Sequence, residues 1–237
     1  MPVAVSTPRI VLLVSVALAA LCAVAIAASE LLRHEQTRTT TLGRHVDKVI
    51  VHADAGDVRL VAGREDRVQI TEHRTWLWDS PHVRMSEHHG VLELRGECPP
   101  ARLPDRCRVD FTLAVPFDVD ATVDGDAGDI DIDDLAGHID LRTGAGDVSG
   151  RDLHPVSVDA RTDAGNVSLG FGTKPVSVDA QSNAGDINID VPAGEYRVDT
   201  STEAGDINVE GVLRNDRALR SIGAVTKAGD VTVRGQG

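Results

Sequence analysis

Apolar and polar residues alternate along most of the chain from about residue 46 onward. Val156-Ser157-Val158-Asp159-Ala160 and Val176-Ser177-Val178-Asp179-Ala180 carry the same pattern twenty residues apart, and Tyr196-Arg197-Val198-Asp199-Thr200 is a variant of it. In a strand, successive side chains point to opposite faces, so each run predicts a strand with one buried face. A second alternation follows each of these runs: Val167-Ser168-Leu169, Ile187-Asn188-Ile189, Ile207-Asn208-Val209 and, near the end, Val231-Thr232-Val233. One repeat therefore holds two short strands and two turns.

A fixed motif separates the two strands. Ala-Gly-Asp (once Ala-Gly-Asn) followed by Val or Ile recurs with its glycine at Gly56, Gly128, Gly146, Gly165, Gly185, Gly205 and Gly229, at spacings of 18, 19, 20, 20 and 24 from Gly128 onward. Glycine is the residue for a turn that needs φ above zero, where a Cβ would clash. The Asp or Asn after it can hydrogen-bond the main chain at a corner. The alanine before it is small enough for an inward corner.

A two-stranded unit cannot bury its apolar face alone. Identical units stacked at about 4.8 Å line up one continuous Val/Ile interior. The predicted fold is thus all-β: a β-solenoid of roughly twenty-residue, two-strand repeats. A barrel or sandwich meander would also alternate, but would not require near-identical turns at near-constant spacing.

The regular part is expected over 126–235. Residues 46–125 keep strand-like runs, Arg67-Val68-Gln69-Ile70-Thr71 and Val91-Leu92-Glu93-Leu94-Arg95, with longer loops, and should pack on the N-terminal end of the stack. Trp76 and Trp78 fall there with strand spacing, which predicts one shared face and a core or cap role, the sharper alternative being an aromatic ligand platform. Arg214 to Arg220 interrupts the last spacing as a loop or short helix.

Ahead of the repeats, Ile10 to Ala28 is free of charge over nineteen positions. As a helix it would span roughly 28 Å, about a bilayer's hydrocarbon thickness. An uncleaved anchor is favoured over a signal peptide cut after Ala25-Ile26-Ala27, because the apolar run is long for a cleaved signal. Cys22 follows Leu21 rather than a small residue, which disfavours a lipoprotein. The organisation expected is a tail at 1–9, a transmembrane anchor at 10–28, a linker at 29–45 and the repeat domain at 46–237.

Composition sharpens this picture. Aromatics are 3% of the chain against 41% hydrophobic residues overall, so the core is aliphatic, and 22 glycines serve turns. A net charge of −13 makes nucleic acid an unsuitable partner. Cys98 and Cys107 flank a proline-rich loop between two strand-like runs. A disulfide there would close a short loop, adding about 2–3 kcal/mol, and such bonds persist outside the cytoplasm.

Tandem Ala-Gly-Asp-[Ile/Val] motifs about twenty residues apart behind one membrane segment resemble the bacterial adhesin-like family called domain of unknown function 4097. The resemblance covers roughly Val46 to Gly235 and is strongest between Asp126 and Arg234. It implies an exported envelope domain and supplies no catalytic residues.

Candidate chemistry is sparse. The acids recur with the repeat, and no acid pair stands apart from it as an active site would, so an enzyme is not expected. No cofactor motif is present. Asp129, Asp147, Asp186, Asp206 and Asp230 would stack along one edge, where a calcium ion would relieve repulsion. Solvation and turn hydrogen bonds account for them better, since the motif lacks the glycine-rich calcium-solenoid form. His82, His88 and His89 cluster in sequence, but neighbours on a strand face opposite ways. The reading that results is a non-enzymatic envelope scaffold, tethered to the membrane through 10–28 and binding an envelope protein or glycan. Its alternatives are an envelope-stress sensor acting through a membrane partner and, behind both, a glycan-active enzyme.

Overall fold

The computed structural model describes residues 34–43, 45–64, 67–100 and 107–236. The anchor expected at 10–28, the 1–9 tail and Cys22 lie outside the described residues. The described chain is all-β, with no helix among these residues. Its strands form two ten-stranded sheets.

Each Ala-Gly-Asp corner carries the chain from one sheet to the other. The strand before the glycine lies in the first sheet (Ile139–Ala145, Ser157–Ala164, Ser177–Ala184) and the strand after it in the second (Val148–Leu153, Val167–Phe171, Ile187–Pro192). Equivalent strands of successive coils pair in parallel and in register, as in Val158 opposite Val178 and Val167 opposite Ile187. Inward side chains consequently form columns. In the first sheet, Val49, Ala121, Ile139, Val158, Val178 and Ile222 make one column, all at most 2% exposed. In the second, Val58, Ile130, Val148, Val167, Ile187 and Val231 make another, buried as deeply. Both sheets contribute to a single hydrophobic cluster. Full burial of one such side chain stabilises by about 1.5–3 kcal/mol, and a coil obtains that only from its neighbours.

The order of coils in the stack differs from their order in the chain at the C-terminal end. Named by corner glycine, they run Gly56, Gly128, Gly146, Gly165, Gly185, Gly229, Gly205. The last coil of the chain is inserted between its two predecessors. Composition explains why: the Gly229 coil turns Ile222 and Ala224 inward and buries both, whereas the Gly205 coil has Val198 and the polar Thr200 at those positions and takes the end of the stack. Ile207 there is 45% exposed. The interrupting segment forms the two-residue strand Leu213–Arg214, followed by a turn and no helix.

At the other end, the chain leaves the Gly56 coil, builds a cap, and returns to start the Gly128 coil. Val91–Glu97 and Arg108–Val115 pair in parallel with the two strands of the Gly56 coil. His82–His88 and Val68–Trp76 then pair antiparallel outside them. The outermost strand is His34–Leu42, antiparallel to Val68–Trp76. Over residues 34–42 this corrects the linker expected at 29–45. All but two of that strand's nine side chains are exposed, so it is held by main-chain pairing and leaves no alternating signature. Trp76 ends its strand and stacks on His34 at 5.6 Å, while Trp78 lies beyond the strand and is 61% exposed. The two tryptophans therefore do not share a strand face.

Candidate interaction surface

The corner column explains the motif. All seven motif glycines have φ between +134° and +155°. Each also lies against the main chain of the neighbouring layer: a Cβ on Gly165 would fall 2.0 Å from the Gly146 carbonyl oxygen. The Asp and Asn residues form a ladder in which each side chain accepts the main-chain N–H of its counterpart in the next coil. Asp147 N–H donates to Asp129 Oδ1 at 2.9 Å, Asn166 N–H to Asp147 Oδ1 at 2.7 Å, and Asp186 N–H to Asn166 Oδ1 at 2.9 Å. Asp230 N–H donates to Asp186, and Asp206 N–H to Asp230, each at 2.8 Å. The ladder begins at Asp110, whose Oδ1 accepts from Asp57 N–H at 2.9 Å, and Arg108 is paired with both Asp110 and Asp57. One oxygen of each column carboxylate is thereby committed to structure, except at Asp206 in the end coil.

A second ladder was missed by sequence reasoning. Thr143, Thr162, Ser182, Thr202 and Thr226 each stand three residues before a motif glycine and donate a hydroxyl to the glycine carbonyl of the adjacent coil, at 2.9–3.0 Å. The signal was present as a recurrent [Thr/Ser]-x-Ala-Gly. Cys98 and Cys107 are joined by a disulfide with Cα atoms 5.8 Å apart, and Cys98 N–H is tied to Asp54 Oδ2 at 3.0 Å. His82 and His88 occupy opposite ends of one strand and His89 the turn after it, so the three histidines do not converge.

The outward face of the first sheet offers a candidate ligand surface. Between the inward columns, Thr122, Asp140, Asp159 and Asp179 stack in register. Beside them runs a row of partners: Arg142 pairs with Asp140 at 3.1 Å, Arg161 with Asp159 at 2.8 Å, and Gln181 Nε2 donates to Asp179 at 3.0 Å. On the other flank His138 Nδ1 and Ser157 Oγ share a hydrogen bond of 2.7 Å. Lys48, Asp120, His138, Asp140, Ser157, Asp159 and Asp179 line one shallow groove along this face. Its floor holds an imbalance of hydrogen-bonding groups: Asp140 Oδ1 and Asp159 Oδ1 are shielded from water and have no donor. Burial raises the Asp159 carboxyl above its ordinary range; Arg161 pulls it down, and the Asp140 and Asp179 charges add to the rise. These two oxygens lie beneath the surface, and what the groove presents to a ligand is its accessible polar lining, Lys48, Asp120, His138 and Ser157 among them.

Two sheets of stacked strands, closed by a glycine corner with an aspartate ladder, define an all-β repeat protein whose regular faces are its distinctive surface. The chain belongs to the Toastrack DUF4097 family, whose model matches residues 43–234. Among solved structures it is similar in fold to a putative cell adhesion protein from Clostridium sporogenes, with 11% identity, a TM-score of 0.54, and coverage of 86% of this chain and all of that one. A putative adhesin from Bacteroides fragilis aligns over 85% of this chain and 97% of its own at 13% identity and a TM-score of 0.47. Another from Parabacteroides distasonis aligns over 84% and 97% at 11% identity and a TM-score of 0.43. No curated protein matches the chain.

Proposed function

We propose that this chain is a non-enzymatic envelope module, a β-solenoid scaffold held outside the cytoplasmic membrane by the apolar segment 10–28. Its outward groove engages an extended, hydroxyl-rich polymer, a glycan of the cell envelope. The observation that carries the reading is a groove lined by polar side chains from successive coils, Asp120, His138, Asp140, Ser157, Asp159 and Asp179. Carboxylates in register on three successive layers, Asp140, Asp159 and Asp179, suit a ligand with donors at regular intervals, and a rigid stack presents them with little ordering cost at binding. The names of the structural relatives, which refer to adhesion, are compatible with this role. The disulfide at Cys98 and Cys107 suits an oxidising compartment.

The test is retention of the full chain on isolated envelope polysaccharide, with the double variant Asp140→Ala/Asp159→Ala as comparison. Saturable binding that falls at least tenfold in the variant supports the proposal. No retention, together with specific in-cell crosslinking of this face to an integral membrane protein, would replace it with the signalling alternative.

A further inference from the structure

The coils turn a second time after the second strand of each repeat, and there the turns of two adjacent coils bring three metal-ligating side chains together. The strand Val148–Leu153 shifts register between Gly150 and Leu153. Leu153 folds back into the space beside Gly150, where a Cβ would meet Leu153 Cδ1 at 2.6 Å. Toward the preceding coil the register runs unshifted through Arg151 opposite Asp133 and so sets Asp152 beside Asp134, both with left-handed backbone (φ 48° and 56°). His154 follows and is held by its N–H on the Leu135 carbonyl at 2.9 Å. Two successive coils share this excursion and the next coil lacks it; bulges commonly re-aim side chains at such places.

His154 Nε2 lies 3.5 Å from Asp134 Oδ1 and 3.6 Å from Asp152 Oδ1. One ligand atom from each of the three residues falls within 4.8 Å of the others. The nitrogen–oxygen separations are too long for N–H···O hydrogen bonds, whose usual range is about 2.7–3.2 Å. They are close to the roughly 3.4 Å between two ligands on a tetrahedral ion with bonds of about 2.0–2.1 Å. The imidazole is braced: the Phe117 ring packs on it at 5.5 Å, and Gly172 closes the opposite side so tightly that a Cβ would lie 2.4 Å from Asp152 Oδ1 and 2.6 Å from His154 Cε1. The His154 side chain is 25% exposed, whereas the two aspartates open to solvent, which leaves room for water as a further ligand.

We propose that Asp134, Asp152 and His154 form a site for a divalent first-row transition ion, zinc by its donor set. Two carboxylates supply the charge, and an imidazole selects zinc-like ions over calcium or magnesium, which take oxygen ligands. The site is separate from the aspartate ladder, whose carboxylates are tied to main-chain N–H groups.

Calorimetric titration of the tag-free full chain with zinc, and cobalt absorption spectra in parallel, test the assignment. One equivalent of zinc should bind, calcium should not displace it, and the cobalt form should show the intense visible bands of four-coordinate geometry. His154→Gln keeps a planar side chain against Phe117, and Asp152→Asn keeps its shape; each should weaken zinc at least tenfold with an unchanged melting curve in the absence of metal. Absence of zinc binding, or binding undiminished in both variants, would overturn the proposal.

Discussion

The main-chain N–H of Asp230 donates to Asp186 Oδ1 at 2.8 Å although 44 residues separate them in the chain. The intervening Gly205 coil lies on the far side of Asp230, where Asp206 N–H donates to Asp230 Oδ1. One Ala-Gly-Asp corner thus serves as donor to the layer beneath and acceptor to the layer above, whichever coil the chain supplies. The motif specifies a slot in a column and leaves the order of filling to the inward side chains.

The glycines of the column are constrained twice, by positive φ and by the carbonyl of the next layer. Gly165→Ala should therefore cost about 3 kcal/mol or more. A urea melt of the full chain would show it as a large fall in midpoint with unchanged slope.

The ladder predicts that shape and acceptor matter more than charge. Asn166 already stands in an aspartate slot and accepts from Asp186 N–H. Asp147→Asn should change stability by less than about 0.5 kcal/mol. Asp147→Ala orphans the Asn166 N–H and should cost about 1–2 kcal/mol. Equal effects of the two substitutions in denaturant melts would contradict the ladder.

Gly125 occupies the slot filled by Thr or Ser in the five later coils of the chain. A Cβ there would meet its nearest neighbour, Thr143 Oγ1, at an ordinary 3.7 Å. Gly125→Thr should gain about 0.5–1.5 kcal/mol, from a hydroxyl bond to the Gly56 carbonyl and a less flexible unfolded chain. The readout is a higher thermal midpoint.

Burial raises the Asp159 pKa, so the native state holds that proton more tightly than the unfolded chain does. Its stabilising contribution is complete below the unfolded value near pH 4 and is lost as pH rises through the raised native value. Asp159→Asn should accordingly be more stable than the parent at pH 7, with the difference shrinking as the pH is lowered toward 3.5. An advantage that grew on acidification would contradict this environment for Asp159.

Much of the fold was legible because its rule is local. Gly-Asp at near-constant spacing, with alternating residues on both sides, exposed the corners and the inward faces, from Ile139 and Leu141 through to Val231 and Val233. The strand His34–Leu42 was not legible, since a strand that buries almost nothing shows no alternation. Stack order was harder still: Val178, Val198 and Ile222 carry the same pattern and fit the same slot. Thr200 in place of an inward alanine was the available sign that its coil belonged at the end. The groove acids Asp140, Asp159 and Asp179 sat inside repeated strands and read as solvated polar positions. The Asp134, Asp152 and His154 group depends on the shape of two second turns and on their lying side by side, which spacing alone does not reveal.

Cysteine pairs placed across the inserted coil test the stacking directly. Gln181 and Val225 are in-register neighbours on adjacent strands, and Ser201 lies one strand further, beyond Val225. Adjacent strands are about 4.8 Å apart, within disulfide reach, and a two-strand gap of about 9.6 Å is outside it. Peptide mapping of the oxidised full chain should find the bond in Gln181→Cys/Val225→Cys and none in Gln181→Cys/Ser201→Cys. A bond formed only in the second pair would mean that the coils stack in chain order, contrary to the architecture described.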